Sequence, residues 1–360
     1  MIDTASIPEG PVELRAGSDR LARFCREVLA AAGADAASAE AAARAMLHGS
    51  RLGVDSHGVR LLPHYAAAIA GGRVNGRPAM RLVREWGAVA TLDADDGHGA
   101  LAAYTAMDHA VRIAEAMGIG AVAITRSSHF GPAGAYALAA AEQGMLGLAT
   151  CNADSLVRLH DGAARFHGTN PIACAMPVAG EEPWLLDMAT SAIPYNRVKL
   201  YRSLGRELPE GVASTVAGED TVDASRAEML APLGGAFGYK GAGLAGLAEI
   251  FSAVLTGAGL SFELQPMNDP DMSRPRGLGA FVMALRPDAF IEGDKVAAGM
   301  RRYRDALRAS PARPGGRVMA PGDREWDEAH RRDRLGIPLD PDTVAAFRSL
   351  AERYAVNLPF

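Results

Sequence analysis

Residues 119–151 constrain the fold of this chain more than any other stretch. Residues 119–125 are a compact apolar run, as expected of a buried strand. Ser127-Ser128-His129-Phe130-Gly131-Pro132-Ala133-Gly134 is a polar loop. It leads into an alanine-rich helix over 135–143, which Gly144 ends. Residues 145–151 form the next strand. Strand, loop, helix and strand in that order point to an α/β fold, and loops at strand ends are where such sheets place their chemistry.

The flanking segments extend this pattern. Residues 21–32, 35–50 and 56–70 read as three helices closed by Gly33, Gly53 and Gly71-Gly72. In the third, Asp55 or Ser56 caps the start and places His57 in the first turn, with Leu61 and Tyr65 on one face and His64 beside them. Residues 80–94 alternate as two short strands around Gly87. A turn holding His98, read as a plain loop residue, precedes a helix over 100–117. Residues 152–177 are irregular and polar, ending in the apolar stretch 171–176. Residues 184–191 put Asp187 directly behind a strand, where a carboxylate is costly unless paired. Residues 192–204 read as a helix with a basic edge at Arg197, Lys199 and Arg202, its start limited by Pro194. A glycine-rich turn over 233–241 opens a long buried helix to about residue 255. A strand over 277–285, a helix over 290–309 and two closing helices over 324–335 and 340–354 complete the chain. The charge on the closing helices reads as solvated surface.

Composition removes several classes of function. Net charge is -5, so no broad basic surface for nucleic acid is expected. The three cysteines Cys25, Cys151 and Cys174 match neither a zinc pattern nor a disulfide framework, which favours a reducing compartment. Residues 1–20 lack the apolar run of a signal peptide, and residues 242–260 carry Glu249 and Ser252. A cytoplasmic protein without a membrane partner is expected.

His57, near a helix start, suits either proton exchange with a bound molecule or simple packing of the helix. The other chemical signatures are negative. There is no HExxH, no GxSxG and no GxGxxG, and Cys151 and Cys174 sit in apolar contexts. Lys240 can meet a carboxylate or a phosphate, but Gly241 stands where a phosphate loop needs serine or threonine.

Five segments taken together are more specific. Asp55-Ser56-His57-Gly58, Ser128-His129-Phe130-Gly131, Gly168-Thr169-Asn170-Pro171, Leu186-Asp187-Met188-Ala189-Thr190-Ser191 and Gly238-Tyr239-Lys240-Gly241 occur in this order. With them the chain resembles, over nearly its whole length, the malate/L-lactate dehydrogenase family of the second type. That family is non-Rossmann and includes sulfolactate and ureidoglycolate dehydrogenases and diketogulonate and piperideine-2-carboxylate reductases. The resemblance implies a nicotinamide-dependent α/β dehydrogenase fold with helical terminal regions. Residues 1–78 would be a helical region carrying the catalytic histidine, and 79–260 the α/β cofactor and substrate region. Residues 261–360 would be a strand and helices packing back on the first region.

The resemblance implies a homodimer using NAD or NADP on a small 2-hydroxy acid and 2-oxo acid pair, without metal. A cyclic imino acid reductase is the alternative, and a non-catalytic ligand-binding oligomer the rival class. His57 would be the proton donor and acceptor, Asp187 its acidic partner, and Ser56 a support for ring or substrate. His129 would stand beside nicotinamide and substrate. Thr169, Asn170, Thr190 and Ser191 would line the cofactor site, and Lys240 would meet cofactor or substrate. Many relatives carry arginine four residues after the histidine, where this chain has Leu61. Arg60, one residue earlier, is turned by about 100° on a helix. Arg60, Arg197 and Lys240 are the candidates to hold the substrate carboxylate, and Arg197 and Arg202 those to clamp the extra phosphate of NADP. Asn152-Ala153-Asp154, His160-Asp161-Gly162 and residues 192–197 also depart from the common pattern, which bears on the substrate more than on the reaction.

Overall fold

The computed structural model describes residues 14–360, so the expectation for the first part of the N-terminus lies outside the described residues. After the short strand β1 (Leu14–Ala16) come helices α1 (Ser18–Ala31) and α2 (Ala36–Arg51). In α1, Leu21, Phe24, Cys25, Val28 and Leu29 recur at helical spacing and are buried. Asp35 caps α2 by accepting from the Ser38 amide at 2.7 Å.

The third helix departs from expectation. Residues 55–61 form two single tight turns, Asp55–His57 and Val59–Leu61, and α3 (Leu62–Ala70) starts only afterwards, with Pro63 in its first turn. Asp55 is no cap. Tertiary contact overrides the local pattern: Gly58 is extended (φ -91°, ψ -155°), and the Val59 amide donates to Ser50 Oγ at 2.9 Å.

The strands β2 (Arg81–Trp86) and β3 (Val89–Asp93) form a hairpin, followed by α4 (Gly99–Met117), β4 (Ile119–Ser127), α5 (Gly134–Ala141) and β5 (Leu146–Cys151). The chain then builds β6 (Val157–Arg158), β7 (Arg165–His167), β8 (Ile172–Val178), β9 (Glu181–Met188), α6 (Tyr195–Ser203), β10 (Ala213–Ser214) and β11 (Met229–Leu230). Helix α7 (Tyr239–Glu249) runs into a wide turn, Ile250–Val254. Last come β12 (Leu278–Leu285), α8 (Gly293–Arg308), α9 (Asp323–Leu335), β13 (Ile337–Leu339) and α10 (Pro341–Tyr354).

A seven-stranded sheet in the order β2-β3-β4-β12-β5-β8-β9 organises the molecule. Only β3 and β4 run parallel in it; every other neighbouring pair is antiparallel. The fold is therefore α/β with a mixed sheet, and not the parallel doubly wound dinucleotide fold. Alanines of α4 and α5 pack one face; all eight residues of α5 are buried. On the other face Ala121, Ala123 and Phe281 meet Phe251 of the turn after α7. A small sheet, β10-β11-β6-β7, shares a separate core with Ile193 and Val198.

The expected C-terminal unit over 261–360 is divided. β12 is the central strand of the large sheet, because its alternating Ala280, Val282 and Ala284 are fully enclosed there. β13, α9 and α10 return to the N-terminal helices, as does Met272 ahead of β12: β13 pairs with β1, and Phe347 lies 4.9 Å from Phe24, ring to ring. The expected buried helix after 241 is apolar but open on one side, where Leu244, Leu247, Ile250, Val254 and Leu255 are exposed. Charge on the closing helices is not all solvated; Asp323 and Arg332 are buried. Among the described residues no helix is long and apolar enough to cross a membrane.

Candidate active site

The turn carrying His57 lies flat on α2 because two glycines permit it. A Cβ on Gly49 would fall 2.7 Å from the His57 carbonyl oxygen, and one on Gly58 would fall 2.2 Å from Ser50 Oγ. From the other side α9 tethers the same turn. Arg332 donates to the Ser50 carbonyl at 2.6 Å, to both Asp55 carboxylate oxygens at 2.5 and 2.9 Å, and to Glu328.

Within this frame Ser56 Oγ lies 2.9 Å from His57 Nδ1. The His57 ring stacks on that of His129, with centroids 5.7 Å apart and planes 21° apart. His129 sits in the loop between β4 and α5, and its Nδ1 is 2.8 Å from the Tyr65 hydroxyl. The neighbouring Ser128 accepts from the Gly99 amide at 2.9 Å, fixing the loop to the start of α4. His98 is not a plain loop residue. It is buried, caps α4 by accepting the Ala100 amide at 3.1 Å, and meets the Tyr65 ring edge-on at 4.3 Å.

Burial sets the protonation of this cluster. It lowers the His57 pKa. His129 is held well below the usual imidazole range by burial, with His57, His64, Arg276 and His98 adding to it. Burial takes His64 down to about 4, helped by Arg276 and Arg73 and opposed by Asp154. Burial takes His98 down to about 3, with His64 contributing. The rings are therefore neutral proton acceptors near pH 7. Among the described residues no group of three or more His, Cys, Asp or Glu is disposed to hold a metal ion.

Asp187 is inside β9 rather than behind it, and no hydrogen bond or ion pair among the described residues joins it to His57. Its carboxylate instead accepts the Gly134 amide at 2.9 Å, bracing the first residue of α5 just past the His129 loop. Burial pushes its pKa up to about 6 against that hydrogen bond. The pairing expected from sequence would raise the proton affinity of His57, whereas burial lowers its pKa.

The other expected residues fall into two groups. Asn170, Thr190 and Ser191 are buried and use their side chains internally: Asn170 donates to Glu249 at 2.7 Å, Thr190 to the Thr169 and Asn170 carbonyls at 3.1 Å each, and Ser191 to Ile193 at 3.0 Å. Lys240 is exposed, its amine over the rings of Phe237 (5.4 Å) and Tyr239 (6.0 Å). Arg60 is exposed and directed at α10, 3.8 Å from both Asp340 and Asp342. Arg202 is spent on the Ala224 and Ala227 carbonyls. Sequence reasoning missed the Tyr65 hydroxyl as partner of His129, and missed Arg276 with its carboxylate Asp154, 2.5 Å away. A single arginine between Pro275 and Gly277 gives no local signal of such a place.

The family described as malate/L-lactate dehydrogenase matches residues 17–348. A malate dehydrogenase of Pyrococcus abyssi is 34% identical over 352 residues, 96% of each chain. A (2R)-3-sulfolactate dehydrogenase (NADP(+)) of Chromohalobacter salexigens is 35% identical over 267 residues, 74% of this chain and 79% of the relative. The crystal structure of malate dehydrogenase from Entamoeba histolytica superposes with a TM-score of 0.91 at 27% identity, covering 97% of this chain and all of that one (100%).

Proposed function

The chain belongs to the malate/L-lactate dehydrogenase family, and from that premise we propose that this oxidoreductase interconverts a small 2-hydroxy acid and its 2-oxo acid, with His57 as proton donor and acceptor. The observation that carries the reading is the stacked pair of neutral imidazoles, His57 fixed by Ser56 and His129 fixed by Tyr65.

A nicotinamide cofactor supplies the hydride chemistry when bound. The residues around Lys240 suit such a group. Its amine is exposed beside two aromatic faces, on a turn where Gly234 and Gly235 adopt φ of 120° and 55°. A cation, aromatic faces and side-chain-free backbone match a phosphate-bearing ligand with flat rings. Thr169 is partly exposed, while Thr190 holds its loop from behind through the Thr169 and Asn170 carbonyls and Asn170 anchors it to Glu249. NAD and NADP are distinguished by comparing KM for the two.

In the oxidative direction the hydroxyl proton passes to His57 as the substrate carbon becomes a carbonyl. Burial keeps the ring in the form able to accept it. In the reverse direction the protonated ring returns that proton and quenches the negative charge growing on oxygen. In the tautomer that carries its proton on Nε2, His129 accepts from the Tyr65 hydroxyl at Nδ1 and turns that proton to steady the same oxygen. Asp187 acts at one remove, by bracing α5 and the loop that bears His129. The apolar stripe Leu244, Leu247, Ile250, Val254 and Leu255 supports a homodimer as the working unit, which light scattering tests.

The activity test follows reduced-nicotinamide absorbance against a panel of 2-oxo acids and cyclic imino acids. A 2-oxo acid is expected to be the substrate, and His57→Ala to lower kcat by about 10²–10⁴-fold with the fold intact. Unchanged turnover in the variant removes His57 from the mechanism. Turnover of cyclic imines alone replaces the hydroxy acid with the imino acid reading.

A further inference from the structure

Resting on that reading, we propose that Arg276, aimed by Asp154, is the cationic anchor for the substrate carboxylate. Its side chain is 2% exposed. Nε donates to the Gln265 carbonyl at 2.9 Å and one terminal nitrogen to Asp154 at 2.5 Å. The other terminal nitrogen, Nη1, is buried without a partner. A guanidinium stays charged at any working pH, so leaving one of its donor faces dry and unpaired is costly until an anion meets it.

Sheet register shows where that face lies. β12 runs antiparallel to β4 with Leu278 opposite Ser127, so the residues before Leu278 run beside Ser128 and His129. On its other edge Ala280 stands opposite Cys151, so the chain from Gly279 back to Gly277 runs beside Asn152, Ala153 and Asp154. Asn152 ties this corner by accepting the Gly279 amide at 3.2 Å. Arg276 thus enters between the His129 loop and Asp154, and its charge acts on both His64 and His129. Arg73, also buried, clamps the backbone of the preceding loop at Met267, Asp269 and Asp271 and stiffens this approach. Of the candidates read from the sequence, Arg60 is engaged elsewhere, facing Asp340 and Asp342 on the outer surface. A carboxylate on the carbon next to the reacting one would pair in two-pronged fashion with Arg276 while the reacting oxygen meets the imidazoles.

The test compares wild type with Arg276→Gln on a 2-oxo acid and on the amide of the same acid, with fluorescence titration of the reduced cofactor alone. Wild type is expected to prefer the acid strongly. Arg276→Gln is expected to raise KM for the acid about a hundredfold, more than it lowers kcat, to lose the preference over the amide, and to bind the cofactor normally. Guanidinium ion is expected to restore part of the lost rate. An unchanged acid KM, or an undiminished preference over the amide, overturns the anchor while leaving the proposed reaction standing. A wild type inactive on every 2-oxo acid overturns both. Should Arg276→Gln fail to fold, Arg276→Lys decides: a KM raised about tenfold supports the anchor and an unchanged KM overturns it.

Discussion

Gly49→Ala separates what a helix gains from what the site loses. Gly49 lies inside α2, where alanine is favoured over glycine by about 1 kcal/mol. The new methyl carbon would lie 2.7 Å from the His57 carbonyl oxygen and 2.9 Å from its carbon. An ordinary contact lies at roughly 3.5 Å, so the turn has to retreat by about 0.8 Å. Overpacking of this kind costs about 1–3 kcal/mol, which cancels or outweighs the helix gain. Displacement of a reacting group by about 1 Å costs about a hundredfold in rate, so kcat is expected to fall roughly 10- to 100-fold. Gly299→Ala is the control: it lies inside α8 with nothing within 4 Å of its added carbon, and is expected to stabilise by about 1 kcal/mol with kcat unchanged. Chemical denaturation gives both free energies and steady-state kinetics both rates. If Gly49→Ala were as stabilising as Gly299→Ala and fully active, the close approach of His57 to α2 would not be what positions it.

Arg332→Met leaves the Ser50 carbonyl and Asp55 without their shared partner. Because the Asp55 side chain is half exposed and rehydrates, the loss is expected at about 2–3 kcal/mol, below that of a fully enclosed pair, and a double-mutant cycle with Asp55→Asn should show coupling above about 0.5 kcal/mol; strict additivity would deny the tether. Acid should also weaken the fold. His98 is neutral when folded down to about pH 3, whereas the unfolded chain takes up a proton below its ordinary value of 6.5, so stability is full above 6.5 and drops by about 1.4 kcal/mol per pH unit below it. Asp187, raised to about 6, opposes this between its ordinary 3.8 and 6, because there the folded state holds the extra proton. His98→Asn keeps an acceptor for the Ala100 amide and should flatten the melting-temperature profile in that window; an unaltered slope would exclude His98 as its source.

What the sequence discloses is what neighbouring residues decide between themselves. The strand, loop, helix and strand over 119–151 were legible from periodicity and breakers. Short motifs singled out His57, His129 and Lys240, and the structure sets the first two ring to ring. Interactions between distant segments were not. Arg332 lies 277 residues from Asp55, and Arg276 lies 122 from Asp154, so no local pattern links them. The helix expected from residue 56 fails at shorter range, because the turn folds back on the end of α2, where Ser50 takes the Val59 amide. Asp187 was read as partner to His57 on resemblance, whereas its carboxylate accepts the amide of Gly134, 53 residues away in the chain.

The place of β12 bears on biosynthesis. β4 and β5 leave the ribosome early, yet each needs β12 along one edge, and β12 is made only when residue 285 has been added. Until then the nascent chain carries two apolar strand edges with no native neighbour, the kind of surface that recruits chaperones or a second nascent chain. A fragment ending at residue 260 should therefore aggregate rather than fold, however complete its own elements look.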